Sequence, residues 1–172
     1  MLIAIDGYNF IKQSPDLRRL EQVELQKARE RLIEQLARYK RLKGHAVIVV
    51  FDGWQSGSSA AHRERSRGIE VLFSRAGEKA DDVLKRLSAE KGEGVTIVTS
   101  DNEIAFYAEK KGSPVFSAAE FADRIEMANF YDLKGGSEAP EILGRGADTS
   151  KKGPSRRLPK SQRKTLAAKK KL

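Results

Sequence analysis

The chain contains no cysteine, which excludes disulfides and thiolate-held metals and is compatible with a reducing compartment. Histidine is nearly as scarce, at two residues, so a zinc centre is not expected and any metal here should be a hard, oxygen-bound ion. Long hydrophobic runs are also missing. The longest, Ala46 to Phe51, falls far below the ~20 residues a membrane helix needs. The N-terminus carries neither a basic n-region nor a long apolar h-region, so no secretory signal is expected. Together these absences lead us to expect a cytoplasmic protein without a membrane partner.

Acidic residues are absent from one segment. Residues 151–172 hold ten Lys or Arg and no Asp or Glu, while the whole chain of 172 residues carries a net charge of +9. The first 150 residues are therefore close to neutral, at −1, and the basicity belongs to the C-terminal segment. The length suits one domain with appendages. Residues 1–130 read as that domain, and 131–150, rich in Gly, Pro and small residues, read as a flexible linker. Residues 151–172 read as a basic tail, disordered when free.

Short apolar runs alternate with helical patterns through the domain. Leu2–Ile5, Ala46–Phe51, Ile69–Phe73, Val95–Thr99 and Pro114–Phe116 have the length and composition of strands, mostly buried on both faces. Helices are expected at about Glu21–Lys43, Ala80–Lys91, Asn102–Lys111 and from Ser117 to about Asn129. The first has its apolar stripe at Leu25, Ala28, Leu32, Leu36 and Tyr39, and Gly44 as its stop. A tight glycine turn is expected after Asp6, and a turn at Ser14-Pro15-Asp16. Trp54 to Gly68 shows no periodicity and reads as a mobile basic loop. This alternation implies an α/β layered fold around a mainly parallel sheet.

The ends of the strands carry the chemistry. Leu2–Ile5 runs into Asp6-Gly7-Tyr8-Asn9, Ala46–Phe51 into Asp52-Gly53, and Val95–Thr99 into Ser100-Asp101-Asn102. Asp81-Asp82 opens a helix. If the strands are parallel, these carboxylates share one rim of the sheet, where ligands of open α/β sheets bind. Clustered carboxylates repel one another unless a cation intervenes. The cation such oxygen donors suit is Mg²⁺ or Mn²⁺, which keeps several waters and is held by one or two carboxylates plus a substrate phosphate. The plainer reading of each residue is a turn or a helix cap: Asp52-Gly53 as a turn, Asp101 and Asn9 as caps, and Asp81 or Asp82 as a first-turn acid.

DGYNF after the opening strand, FDG after the second, EKADDVLKRL and VTSDNEI, in that order, resemble the YacP-type NYN family of PIN-like metal-dependent nucleases. The resemblance covers about residues 1–130. It implies a three-layer PIN-like fold with helices on both faces of a five-stranded sheet, ordered 3-2-1-4-5. It also implies endoribonuclease activity with Mg²⁺ or Mn²⁺, leaving 5′-phosphate and 3′-hydroxyl ends. By the motif match Asp6, Asn9, Asp81, Asp82 and Asp101 fall on the family's catalytic site. Asp6 and Asp101 would be metal ligands, with one or both of Asp81 and Asp82; which of the pair stays open. Asp52, Ser100 and Asn102 fall at the margin of the site.

RNA is the partner that fits the rest, as messenger or ribosomal RNA or on the ribosome itself. Trp54, His62, Arg63, Arg65 and Arg67 combine an aromatic with interleaved cations, a set suited to single-stranded nucleic acid. In the tail, Lys151, Lys152, Arg156, Arg157, Lys160, Arg163, Lys164, Lys169, Lys170 and Lys171 form a polyanion anchor. The expected function is a metal-dependent endoribonuclease in mRNA decay or RNA processing. The alternative is a non-catalytic RNA- or ribosome-binding module on the same fold.

Overall fold

Strands that are apolar at every position need cover on both faces, and this chain supplies it. The structure, a computed structural model, describes residues 1–53, 61–75 and 77–133. Six strands, β1 (Leu2–Asp6), β2 (Ala46–Phe51), β3 (His62–Ser66), β4 (Ile69–Phe73), β5 (Val95–Val98) and β6 (Val115–Phe116), form one sheet in the order β3-β4-β2-β1-β5-β6. All neighbours pair parallel except β3 with β4. The helices are α1 (Gly7–Gln13), α2 (Pro15–Val23), α3 (Leu25–Lys43), α4 (Ala80–Lys91), α5 (Asn102–Lys110) and α6 (Ala118–Leu133).

The pleat sorts each strand onto two cores. Ile3, Ile5, Val47, Val49 and Phe51 pack with α1, α2, α3 and α6, whereas Ala4, Ile48, Val50, Val95 and Ile97 pack with α4 and α5. In α3 the expected stripe holds: Ala28, Leu32, Leu36 and Tyr39 are fully buried, with Leu25 at the edge of the core. Each buried leucine contributes ~2 kcal/mol by leaving water. The three layers and the order of the five expected strands are as the resemblance implies.

Four details differ from the sequence reading. The sheet has a sixth strand, β3, in a segment read as a mobile loop. Its residues, His-Arg-Glu-Arg-Ser, are almost wholly exposed, so no hydrophobic alternation marks them. The expected glycine turn after Asp6 is the start of α1, too short to show a period. The expected helix from Glu21 to Lys43 starts earlier, at Pro15 within the expected turn, and is broken at Glu24, which is extended (φ −159°). The break has a cause in the stripe: Leu20 to Leu25 is five residues, out of phase with 3.6 per turn, and one extended residue resets the face. Finally, α6 runs to Leu133, three residues into the expected linker. Trp54, the rest of the expected linker and the whole basic tail lie outside the described residues. No helix among the described residues is long and apolar enough to cross a membrane.

Candidate functional site

β1 is central, with β2 on one side and β5 on the other, so a crevice opens where the chain's direction of winding reverses. The rim carboxylates gather around that crevice. Asp6 ends β1 and is buried, only 7% exposed. Its Oδ1 accepts a hydrogen bond from the Asn9 N–H at 3.0 Å, which caps α1. A side chain at Gly7 would run into the Phe51 ring, so glycine lets α1 press close to β2 directly beneath Asp6.

Burial pushes the Asp6 carboxyl up to about 6, and the charges of Asp81, Asp52 and Asp101 push the same way against the Asn9 N–H. Asp81 is raised too, by burial first and then by Asp101 and Asp52, with Lys85 and Lys79 opposing. Four acids on three strand ends and one helix therefore act on one another electrostatically. The structure brings together Asp6, Asp52, Asp81 and Asp101.

It separates Asp81 from Asp82. The Asp82 carboxylate turns back to accept the Lys79 N–H at 3.2 Å and is exposed. Asp81 is the partner of the cluster. Asp52, expected at the margin, holds the start of α4: its Oδ1 accepts the Ala80 N–H at 2.6 Å, one residue before Asp81. Asp101 caps α5, with Oδ1 accepting from Glu103 N–H at 2.7 Å and Ile104 N–H at 3.2 Å. Capping and site chemistry are compatible, because a cap occupies one carboxylate oxygen and leaves the other.

Asn9 does more than sit in a helix. Its Oδ1 accepts the Ser100 N–H at 3.0 Å and so ties α1 to the loop after β5, across the crevice. Ser100 continues the link, its Oγ accepting the Ala118 N–H at 3.2 Å at the start of α6. Thr99 Oγ1 accepts the Asp101 N–H at 3.1 Å. Asn102 is exposed in the first turn of α5.

One residue beside the site escapes a reading of the sequence. Arg29 of α3 is 8% exposed, and its guanidinium donates to the Tyr8 hydroxyl. It lies over the rings of Tyr8, Phe51 and Phe73 at 5.3, 5.5 and 5.6 Å. Its Nε has no partner, and no carboxylate pairs with it among the described residues. Burial lowers its pKa. The helical spacing holds a signal, since Arg29 lies four after Leu25 and three before Leu32, on the flank of the stripe. An unpaired buried cation costs desolvation that an apolar group of similar volume avoids. Arg29→Met removes that cost and fills the space but, like alanine, leaves the Tyr8 hydroxyl without its donor, so it should stay within ~1 kcal/mol of wild type. Arg29→Ala should lose about 2–4 kcal/mol to the cavity and the orphaned Tyr8 hydroxyl. Urea unfolding of both variants checks this, and a methionine as costly as alanine would refute it.

The basic residues read as one rim loop are distributed over the sheet edge. His62 stands opposite Phe73, at the carboxylate end of β4, and stacks on its ring with centroids 6.2 Å apart. Arg63 pairs with Glu70 on the other face. Arg65 stands opposite Glu70, nearer the far end, and Arg67 lies in the turn at that far end.

The donor set suits a hard divalent ion: carboxylate oxygens and an amide, with no sulfur and no imidazole at the crevice. Asp6 and Asp81 are raised by burial first and by their acidic neighbours second, and a cation among them would oppose both. The acids do not converge into a closed cage, since no group of three could hold a metal among the described residues. A hydrated Mg²⁺ or Mn²⁺ needs only one or two direct carboxylates, and the residues fit that mode.

Comparison with known proteins gives the chain its relatives. The family model described as YacP-like NYN domain matches residues 3–169, well past the 130 residues of the expected resemblance and through most of the basic segment. Uncharacterized protein YacP of Bacillus subtilis (strain 168) is 29% identical over 128 residues, 73% of this chain and 75% of that protein. The crystal structure of Rae1 (YacP) from Bacillus subtilis superposes with a TM-score of 0.62 at 28% identity, covering 78% of each chain. The crystal structure of a mutant of that same protein gives 0.67 at 26% identity, covering 77% of this chain and 79% of that one.

Proposed function

This chain belongs to the YacP-like NYN domain family, a nuclease-like fold, and on that footing we propose that it is a metal-dependent endoribonuclease. The observation that carries the reading is the crevice itself, where a buried Asp6 raised to about 6 meets Asp81, Asp52 and Asp101. One or two of Asp6, Asp81 and Asp101 would bind Mg²⁺ or Mn²⁺ directly, and the rest of the three would reach it through its waters. When bound, the ion supplies positive charge at the scissile phosphate and a more acidic water as nucleophile.

The protein's own part is placement. Asp52 fixes the start of α4 and with it Asp81. Asn9 fixes the loop carrying Ser100 and Asp101 through its Oδ1 and keeps its amide N–H groups to donate to a phosphate or water. A bound cation would favour the ionised form of Asp6 against its burial and its acidic neighbours. RNA, messenger or ribosomal and including RNA on the ribosome, is the substrate class. His62, Arg63 and Arg65, with Trp54 and the Lys151–Lys171 segment, would supply stacking and phosphate contacts. Roles in mRNA decay or RNA processing and a cytoplasmic setting follow from the same reading.

The open geometry of the acids favours one rival, a binding module on this fold that does not cut. Incubation of the full chain with single-stranded RNA in Mn²⁺, Mg²⁺ or chelator separates the two. Endonucleolytic products with 5′-phosphate ends in metal and none in chelator are expected. Binding without cleavage in any metal would favour the rival. Within the cutting reaction, Asp81→Asn should lose roughly 10²–10³-fold in rate, as removal of a charge that acts on the transition state does. Asp82→Asn should stay within a few-fold, since that carboxylate serves the helix start. Equal losses would reverse this assignment.

A further inference from the structure

The far end of the sheet carries a feature that the rim does not explain. β3 and β4 are joined by Arg67-Gly68, both with positive φ, 51° and 81°. A two-residue turn of this kind favours Asn-Gly, because a left-handed backbone is strained for a residue with a long side chain. Arginine at that position is a local conflict of the sort that persists where the side chain has a use. The turn is pinned to α3 by Lys40, whose Nζ donates to the Gly68 carbonyl at 2.6 Å.

There Arg67 joins Arg38 and Arg41 of α3 around a groove of about 420 Å³, lined also by Glu34 and Ala37. None of the three arginines is in an ion pair among the described residues. Glu34, the one acid present, is already engaged by Arg31 at 2.8 Å. Its carboxyl is held below the ordinary range by that hydrogen bond, helped by Arg67 and Arg38. The lining thus has three cations and one committed anion, arranged on two rigid elements. Guanidinium forks are suited to phosphate oxygens. β4 spans five residues, so the groove lies roughly 16 Å from the carboxylate rim.

We propose that this groove is a second RNA site, binding backbone phosphates several nucleotides away from the reacting bond. It rests on the RNA reading above and extends it: the rim would act on one phosphodiester while the groove sets how long a strand is gripped. Arg38 and Arg41 of α3 become substrate contacts, and Arg67 acts at this end of the sheet.

The test uses the full chain in chelator, with a single-stranded RNA of about twenty nucleotides titrated across a salt series. The variant Arg38→Gln/Arg41→Gln/Arg67→Asn should bind at least ~10-fold more weakly, and its log-affinity slope against log-salt should fall by ~2, about 0.7 for each lost contact. Arg67→Asn alone should melt at a higher temperature than wild type, because asparagine suits the turn, yet bind the RNA more weakly. Unchanged affinity and slope in the triple variant would overturn the groove, as would Arg67→Asn binding as well as wild type. The nuclease reading is judged separately by metal-dependent cleavage with the wild-type chain. Failure there, with the arginine variants still losing affinity, would remove the catalytic assignment and leave the groove in place.

Discussion

Replacing Asp6 by asparagine is expected to lower metal-dependent RNA cleavage by roughly 10²–10³-fold, since a ligand lost at a divalent centre removes several kcal/mol of charge stabilisation. The same change should make the metal-free protein more stable at pH 7. Asp6 is buried beside three other acids, and its carboxyl is raised from 3.8 to about 6. Asparagine keeps the oxygen that accepts the Asn9 N–H and removes the charge. A gain of about 1–3 kcal/mol follows from the size of that shift. Loss of activity with a rise in stability cannot come from unfolding, so the pair of measurements isolates the site. Wild-type cleavage rates in Asp6→Asn would remove Asp6 from the mechanism.

The linkage has a definite sign. A carboxyl with a higher pKa folded than unfolded binds its proton more tightly in the native state. Its contribution is fully present below pH ~4 and is lost as the pH rises through about 6. Urea unfolding in chelator should therefore show stability falling by about 3 kcal/mol between these limits from this group alone. Asp6→Asn should flatten that part of the profile, and saturating Mn²⁺ should restore stability at pH 7 in wild type more than in the variant.

Gly53→Ala should be the most damaging small substitution near the site, at about 3 kcal/mol. A methyl group there would fall well inside contact distance of the Ser74 carbonyl oxygen, which is backbone and cannot swing away. The loops after β2 and β4 are laced together at this point. Gly53 N–H donates to Ser74 Oγ at 3.0 Å, Ser74 N–H to the Phe51 carbonyl at 3.0 Å, and Ser74 Oγ to the Glu78 carbonyl at 2.6 Å. Forcing them apart also disturbs Asp52, one residue before Gly53, and its grip on Ala80. Ser74→Ala, which removes only the hydroxyl bonds, should cost ~1 kcal/mol. Denaturation midpoints of the two variants decide the matter, and equal midpoints would mean that the loops can part at little cost.

The Asp-Gly after β2 shows how sequence and structure divide the account. As a sequence, FDG could be an ordinary turn or part of a site. In the fold the glycine answers a steric demand from Ser74, while the aspartate holds the helix that presents Asp81. Neither partner is near in the chain, so no local pattern could reveal them. Asp81-Asp82 is ambiguous for a related reason: adjacent residues on a helix start differ by about 100° in direction, and only the position of α4 over the rim tells which one faces the crevice. Arg29 goes unnoticed in the sequence because a charge on a helix is most often solvated, although here its stem and head fill a space between three rings.

What the amino-acid order determined alone was the layered α/β class, the burial of the strands on both faces and the placing of acids at strand ends. Those features follow from local periodicity and from the alternation of strand and helix, which act over short stretches. Tertiary structure alone decided which acids share a crevice, that β3 closes the sheet edge, and that the basic residues belong to different faces. Each of these depends on residues far apart in sequence meeting in space, where burial and charge depend on the neighbour and not on the residue. Asp6 illustrates both levels: the chain placed it at the end of a strand, while burial in the fold, helped by three distant carboxylates, raised its pKa.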